Sequence, residues 1–330
     1  QAPTVIYHAN LKVCPTLPSV KTLTDLGEFG LITLLTKSFN PTKDVMVSVG
    51  DDCAVLKYSA KEYLLWTTDL LLEGVHFTKS APAYRIGWKA LAVSLSDIAA
   101  MAGKPRYALV FVGLPAKSPF SYAKEIYRGI ADLAQRYGVQ VVGGDTNAYE
   151  KVVIGTTVLG VVKKKHLTLR SGSRPGNLIC VSGHLGRGKE THLSFLPKVK
   201  EAGEIKRRFS ATAMIDISDG LLSDFTRIAE QSKVGGRIFL AEIPAIKGIS
   251  KEEALTSGEE FQLLFTVRPD QEKAVKKAGF FIVGEVTRKS SGIRVLCPDG
   301  RPYRPSTSGF NHFPISITRQ GAWSSGTSPK

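Results

Sequence analysis

Several short strings in this sequence place an aspartate beside a glycine or a hydroxyl residue, at or near the end of an apolar run. Carboxylate oxygens are ligands that Mg²⁺ prefers, usually together with water and substrate phosphates. The glycines permit backbone conformations and close approaches that other residues forbid. The pattern therefore predicts a site for several divalent cations, and hence for a polyphosphate. The candidate aspartates are Asp51, Asp69, Asp97, Asp145, Asp216 and Asp219.

Each string also has an ordinary structural explanation. A glycine followed by two aspartates can form a plain turn, and an aspartate at a strand end can cap the helix that follows. Asp97 is harder to explain in this way, because it interrupts an apolar helical stretch and a buried unpaired carboxylate is costly. Taken together and in this order, the strings favour a metal site over a set of turns and caps.

Two standard phosphate-handling motifs are missing from the sequence. It has no GxxxxGK[ST] loop, and it has no HRD and DFG pair of the protein-kinase type. A phosphate-handling enzyme with this sequence would rely on metal ions more than on a glycine-rich loop.

The chain is strongly basic, with 44 Lys and Arg against 29 Asp and Glu and a formal net charge of +15. This balance is compatible with anionic partners, but solubility explains it about equally well, because the basic residues are scattered outside the runs at 163–165 and 206–208. No zinc-ligand spacing or RNA-binding aromatic motif accompanies them, so we expect no nucleic-acid partner.

Cysteine usage and hydropathy predict the compartment. The 4 cysteines form no CxxC pair, and a chain with 43% hydrophobic residues has no need of a disulfide framework. No run of about 18 apolar residues is present to span a membrane. We therefore expect reduced thiols, a cytoplasmic protein and no membrane partner.

Hydrophobic periodicity predicts an α+β fold rather than a doubly wound sheet, because strands and helices alternate without a steady βαβ rhythm. The predicted helices are 26–39, 85–101, 121–137, 221–232 and 273–278. The predicted strands are 45–49, 54–58, 63–68, 107–113, 139–142, 152–162, 178–182, 238–240, 261–267, 281–286 and 293–297. The predicted domains are an irregular arm at 1–24, an N-terminal domain at 25–162, a C-terminal domain at 163–318 and a flexible tail at 319–330.

The order and spacing of these strings resemble the thiamine-monophosphate kinases, a family in the superfamily that includes aminoimidazole ribonucleotide synthetase. The string Asp-Ile-Ser-Asp-Gly-Leu at 216–221 and the Gly-Glu-Glu string at 258–260 are the most specific to this family. The matching blocks are 27–29, 50–54, 67–69, 74–77, 94–101, 143–146, 170–176, 213–221, 257–265 and 309–313.

The resemblance implies ATP-dependent phosphorylation of thiamine monophosphate to thiamine diphosphate, by direct transfer assisted by several Mg²⁺ ions and without a dedicated acid or base. It also implies the two-domain architecture of that superfamily, in a homodimer whose N-terminal sheets pair across the two-fold axis. The implied metal ligands are Asp51, Thr68, Asp69, Asp97, Asp145, Asp216 and Asp219. The implied ATP contacts are Gly144, Asp145, Arg170 and Ser218, and the implied thiamine-phosphate contacts are His76, Glu259 and Phe310.

Two alternatives remain at this point. One is another ATP-using enzyme of the same superfamily, of the aminoimidazole ribonucleotide synthetase or selenophosphate synthetase type. The other is a non-enzymatic binder of thiamine phosphates or nucleic acid. The stretch at 186–197 is also shorter than is usual in the family, and we expect the shortening to remove a surface helix.

Overall fold

The computed structural model describes residues 22–186 and 188–312. Residues 40–310 belong to one compact unit, which contains both β-sheets. Helices and strands are mixed along the chain, so the predicted α+β class is confirmed. Among the described residues, no helix has both the length and the apolar character needed to cross a membrane.

The flanking residues 22–39 and 311–312 belong to a second unit. Its helix α1 spans Leu23–Thr36 and begins with a capping box formed by Thr22 and Asp25. Gly27, at φ 64°, interrupts the helix with a kink. The helix thus begins three residues before the predicted position. The predicted arm at 1–24 and tail at 319–330 lie almost entirely outside the described residues.

The N-terminal sheet has six strands in the order β1-β2-β3-β6-β4-β5. Neighbouring strands are antiparallel, except for the parallel pair β4 and β5. β5 is an edge strand and runs through the two glycines at which we predicted it to end. The strands are β1 Val45–Val47, β2 Ala54–Lys57, β3 Glu62–Leu72, β4 Lys104–Leu114, β5 Gln140–Ala148 and β6 Val153–Lys163.

Two 18-residue helices, α2 (Ala83–Ala100) and α3 (Phe120–Tyr137), pack on one another beside this sheet. The two helices approach closely because, where they cross, each has a glycine without a side chain next to the backbone of the other helix. A Cβ on Gly87 would lie 1.8 Å from the carbonyl oxygen of Ile126, and one on Gly129 would lie 2.0 Å from that of Tyr84. α2 also contacts elements of the second sheet, which explains why nearly all of its residues are buried.

The C-terminal sheet has seven strands in the order β13-β12-β9-β11-β7-β10-β8. Its strands are β7 Leu178–Val181, β8 Ala213–Asp216, β9 Val234–Phe239, β10 Leu263–Val267, β11 Phe281–Arg288, β12 Ile293–Leu296 and β13 Pro302–Tyr303. Its helices are α4 Gly188–Thr191, α5 Val199–Phe209, α6 Leu221–Ser232, α7 Lys251–Thr256 and α8 Glu272–Lys277.

Side chains alternate between two apolar clusters along β7 and along the edge strand β8. Ile179 and Ile215 belong to one cluster, whereas their neighbours Cys180 and Met214 belong to the other. Both faces of the sheet are therefore covered at these two strands. The cysteines among the described residues, Cys53, Cys180 and Cys297, are free.

Candidate active site

Helix α2 carries polar side chains into an otherwise apolar interior. Ser94 and Ser96 are 0% and 1% exposed, and Asp97 is half-buried. A buried polar group is costly unless it is hydrogen-bonded, and each of these three has a partner. Because α2 contacts both β3 and β8, its polar groups reach side chains of both sheets.

Strand β3 directs alternate polar side chains toward this helix. Thr67 donates a hydrogen bond of 2.5 Å to Oδ2 of Asp97, and Ser94 donates one of 2.8 Å to Oδ2 of Asp69. Thr67 and Asp69 share a face of the strand because side chains alternate along it. The structure thus brings two of the predicted carboxylates, Asp69 and Asp97, to the contact between β3 and α2.

A carboxylate cluster forms where this contact meets the second sheet. One oxygen from each of Asp52, Asp97 and Asp216 lies within 4.8 Å of the other two. Asp216 ends β8, and the hydroxyl of Ser96 donates a hydrogen bond of 2.6 Å to its Oδ2. We predicted Asp97 and Asp216 as metal ligands from the sequence. We did not predict Asp52, the third member of the cluster, but its neighbour Asp51.

Asp51 instead organises the backbone around Arg170. Its Oδ2 accepts a hydrogen bond of 3.0 Å from the backbone N–H of Arg170, and its Oδ1 accepts one of 3.1 Å from that of Asp52. Nη2 of Arg170 then pairs with Oδ1 of Asp52 at 2.8 Å. The ligand role of Asp51 stays a prediction.

Burial and mutual repulsion raise the pKa values of these carboxyl groups. Burial, followed by the charge of Asp52, raises the pKa of Asp216 and that of Asp51 to about 7 each. Burial, followed by repulsion from Asp69 and Asp216, raises the pKa of Asp97 well above its usual range. A cation placed among these groups would relieve both effects.

The buried guanidinium of Arg170 compensates part of this negative charge. Burial opposes its charged form, but the neighbouring Asp52 outweighs that effect and raises the pKa of Arg170. Nε of Arg170 is buried without a hydrogen-bond partner among the described residues. A buried donor without a partner costs free energy unless another group satisfies it.

The cluster fits a hard divalent cation. Oδ2 of Asp52 is buried and has no hydrogen-bond partner among the described residues, an arrangement that costs free energy unless another group satisfies it. Two oxygens bound to one Mg²⁺ lie up to about 4.2 Å apart, so small side-chain shifts would bring these carboxylates into ligand geometry. The donors are all oxygens, as Mg²⁺ requires.

The turn between β8 and α6 holds two more predicted residues, Ser218 and Asp219. Oδ2 of Asp224 accepts hydrogen bonds from the backbone N–H groups of Asp219 (3.2 Å) and Gly220 (3.1 Å). Asp224 is 2% exposed, and burial followed by the charge of Asp219 raises its pKa well above the usual range. Sequence reasoning missed Asp224, although an aspartate in the first turn of a helix is a common anchor for the preceding loop.

This turn also connects to the predicted substrate contacts. The carbonyl oxygen of Ser218 accepts a hydrogen bond of 2.7 Å from the N–H of Glu259, and that of Asp219 accepts one of 2.9 Å from the N–H of Phe310. The Phe310 side chain is 47% exposed. Four predicted residues therefore lie on segments that are directly hydrogen-bonded to one another.

Glu259 is held by two residues that the sequence did not single out. Its Oε1 forms an ion pair with Lys89 of α2, and its Oε2 lies 2.9 Å from Nδ1 of His192. Nζ of Lys89 also donates a hydrogen bond of 2.8 Å to the carbonyl oxygen of His76. Burial opposes ionisation of Glu259, but His192 and Lys89 outweigh it, so its pKa is lowered.

Three predicted residues, Thr68, Gly144 and Asp145, are exposed on their strands. Gly144 and Asp145 lie on β5, all of whose residues are exposed, and Asp145 accepts hydrogen bonds from its neighbours Thr146 and Asn147. Thr68 lies on the face of β3 opposite Asp69 and accepts a hydrogen bond of 3.0 Å from Thr157. Among the described residues, the group of carboxylate oxygens within 4.8 Å of one another does not include Asp145.

Two family models match the chain, one for each sheet. The model for the N-terminal domain of AIR synthase related proteins matches residues 50–162, and the model for their C-terminal domain matches residues 174–296. The fold and the carboxylate cluster between the two sheets thus define an AIR synthase related protein of two domains. Hydrogenase maturation protein HypE shares this fold, with 18% identity and a TM-score of 0.63 over 80% of this chain and 89% of its own.

More specific relatives define the family. Thiamine-monophosphate kinase of Aquifex aeolicus is 34% identical over 88% of this chain and 99% of its own length, and that of Bacillus subtilis is 32% identical over 87% and 100%. The solved structure "AaThiL complexed with AMPPCP and TMP" is 31% identical with a TM-score of 0.78, over 89% of this chain and 100% of that chain. The chain belongs to the thiamine-monophosphate kinase family of enzymes, as the sequence motifs predicted.

Proposed function

We propose that this protein transfers the γ-phosphoryl group of ATP to the phosphate of thiamine monophosphate and so forms thiamine diphosphate. The observation that carries this proposal is the carboxylate cluster of Asp52, Asp97 and Asp216 beside Arg170, in a chain of this family. Further support comes from a solved relative of similar length and fold, which holds an ATP analogue and TMP.

The carboxylates would hold Mg²⁺ at the cluster. A bound Mg²⁺ neutralises charge on the phosphates and orients them for in-line transfer. The protein fixes the position of the metal-binding carboxylates. Asp97, on α2, accepts a hydrogen bond from Thr67 of β3, and Asp216, at the end of β8, accepts one from Ser96 of α2. The other proposed ligands are Asp51, Thr68, Asp69, Asp145 and Asp219.

No strong general base is needed for this transfer, because the acceptor is already an anionic phosphate oxygen. The chain must instead position two anionic substrates and reduce their repulsion. Arg170 is suited to this, since its guanidinium has five N–H donors and is fixed on one side by Asp52. We propose that Arg170, together with Gly144, Asp145 and Ser218, contacts ATP.

The thiamine end of the substrate is cationic and aromatic. We propose that Glu259, His76 and Phe310 receive it. The half-exposed ring of Phe310 offers a face for a cation–π contact with the thiazolium. Glu259 lies in the same hydrogen-bonded group of segments, through Ser218 and Asp219.

We also propose a homodimer that pairs the exposed faces of two N-terminal sheets. On β3, Trp66 and Leu70 are 49% and 47% exposed, and on β4, Tyr107 and Leu109 are 48% and 44% exposed. Such apolar faces commonly mark interaction surfaces. Light scattering should give twice the chain mass for the wild type and for the control Phe120→Glu, but the single mass for Trp66→Glu. A monomeric wild-type protein would contradict the dimer.

The kinase activity is tested with purified protein, ATP, Mg²⁺ and a panel of acceptors. We expect thiamine diphosphate and ADP in equal amounts from thiamine monophosphate, and no turnover when Mg²⁺ is chelated. Thiamine, formylglycinamidine ribonucleotide and selenide should give no comparable consumption of ATP. Turnover of another acceptor in preference to thiamine monophosphate would refute the proposal.

A further inference from the structure

Lys89 is a charged residue fully enclosed by the protein. It lies on α2, its side chain is 0% exposed, and its ammonium contacts the carboxylate of Glu259, the carbonyl oxygen of His76 and Nδ1 of His192. Burial lowers the pKa of Lys89, and Glu259 opposes that shift. Burying an ammonium is costly, and replacing a whole buried ion pair by apolar residues of similar volume is often neutral or stabilising. We therefore expect the buried charge of Lys89 to have a function in addition to packing.

The contacts of Lys89 connect three distant parts of the chain. His76 lies just after β3, Glu259 just before β10, and His192 just after the short helix α4. Two of these residues, His76 and Glu259, are the proposed contacts of the thiamine end of the substrate. One ammonium thus fixes the relative positions of both.

His192 holds the second oxygen of Glu259. Its Nδ1 lies 2.9 Å from Oε2 of Glu259 and 2.8 Å from Nζ of Lys89. With the proton on Nδ1 the ring donates to the carboxylate, and with the proton on Nε2 it accepts from Lys89. In either tautomer the imidazole lies against the ion pair and limits its movement.

The backbone around Glu259 is also constrained. Glu259 and Phe261 have φ values of 61° and 47°, which non-glycine residues rarely adopt and which persist where surrounding contacts enforce them. Glu260 accepts hydrogen bonds from the N–H groups of Gly186 and Gly188, and the ring of Phe261 stacks on Phe195 at 3.9 Å. Strained backbone held in this way is typical of a binding site.

We propose that Lys89, assisted by His192, is a positioning residue for the thiamine end of the substrate: it holds the Glu259 carboxylate and the His76 turn in the arrangement that receives the substrate. This inference rests on the proposed function. The charge of Glu259 is already compensated by Lys89, so recognition depends on where the carboxylate points rather than on a free negative charge. ATP binding, which involves other residues, does not depend on Lys89.

The test compares Lys89→Met, Glu259→Gln, the double variant and the control Lys124→Met, which makes the same change on the exposed face of α3. Steady-state kinetics give KM for each substrate. We expect Lys89→Met to raise KM for thiamine monophosphate by about ten- to a hundredfold, as for loss of a hydrogen bond to a charged group, with KM for ATP within about twofold. The double variant should raise KM for thiamine monophosphate by less than the product of the two single effects, because part of the effect of Lys89 is exerted through Glu259.

The outcomes separate this inference from the proposed function. If the wild type does not phosphorylate thiamine monophosphate, the function and the inference both fail. If Glu259→Gln raises KM for thiamine monophosphate but Lys89→Met does not, or if the two effects multiply, only the role of Lys89 fails.

Lys89→Met could fail to fold, and circular dichroism reveals that case. The second variant, His192→Ala, then decides, because the His192 side chain is 19% exposed and its loss leaves the core intact. We expect a rise of about three- to tenfold in KM for thiamine monophosphate that disappears in the Glu259→Gln background. An unchanged KM would overturn the positioning role.

Discussion

The hydroxyl of Ser96 on α2 donates a hydrogen bond of 2.6 Å to Asp216 at the end of β8. Ser96 lies in the segment matched by the N-terminal family model, and Asp216 lies in the segment matched by the C-terminal one. Asp52 and Asp97, from the first segment, complete the carboxylate cluster. The cluster therefore exists only where the two segments meet, and a change in their packing alters the site directly.

Replacing Asp216 by Asn should remove most of the activity. The amide keeps the size of the side chain and can still accept the hydrogen bond from Ser96, but it carries no charge for a cation. We expect kcat/KM to fall by at least about a hundredfold, which corresponds to about 2.7 kcal/mol. Asp44→Asn makes the same change at an exposed position and should retain wild-type kinetics. Full activity of Asp216→Asn would contradict the assigned role.

The raised pKa of Asp216 predicts a specific dependence of stability on pH in the presence of a chelator. Its pKa rises from 3.8 to about 7 on folding, so between these values the folded state holds a proton that the unfolded state has released. The contribution of this group to the free energy of unfolding therefore falls as pH rises through that window.

Urea unfolding at pH 5 and pH 7 measures this effect. Asp216→Asn should lose the contribution, so its stability should decline less over the interval, by up to about 1.4 kcal/mol per pH unit. Asp44→Asn should keep the wild-type pH dependence. Identical pH dependence in the wild type and Asp216→Asn would rule out the raised pKa.

Asp224→Ala should loosen the turn that presents Ser218 and Asp219. The substitution leaves the N–H groups of Asp219 and Gly220 without their partner inside the protein. We expect a loss of about 1–3 kcal/mol in the free energy of unfolding, together with a lower kcat/KM. The matched change at the exposed residue Asp299 should alter neither quantity. Wild-type stability of Asp224→Ala would show that these hydrogen bonds contribute little.

Gly144→Ala should disrupt the pairing of β5 with β4. A Cβ at this position would lie 1.7 Å from the carbonyl oxygen of Val110, so the edge strand would have to move. We expect a lower melting temperature and a higher KM for ATP. Gly203→Ala, on α5, is the matched control, because its Cβ would meet no atom closer than 3.6 Å and alanine favours helices. Equal melting temperatures for the two variants would contradict the close approach.

Asp97 could be predicted from the sequence because it interrupts a long helix that periodicity indicates, so the direction of its side chain follows from that helix. Asp216 was predicted only from its place at the end of an apolar run, because no strand was predicted where the structure has β8. Asp51 and Asp52 lie in a turn, where periodicity does not decide which of two consecutive residues faces inward. The choice depends on Arg170, which is 118 positions from Asp52.

The group around Glu259 was less predictable for a similar reason. Lys89 is 170 positions from Glu259 and 103 from His192, and a lysine in a helix ordinarily reaches the surface. Lys89 is enclosed because α2 packs against strands of both sheets, which helical periodicity alone does not reveal. The short helices α5 and α7 were also missed: α5 packs on α2, and α7 packs on α6, so tertiary contacts stabilise them more than their own sequences do.

Diffraction from crystals grown with Mn²⁺ and a non-hydrolysable ATP analogue tests the central claim most directly, because Mn²⁺ accepts the same oxygen ligands as Mg²⁺ and gives an anomalous signal. The account predicts at least one strong anomalous peak within about 2.5 Å of carboxylate oxygens of Asp52, Asp97 or Asp216, adjacent to the analogue's phosphates. The same experiment on Asp216→Asn should weaken or remove that peak. Nucleotide bound with every metal peak away from this cluster would contradict the account.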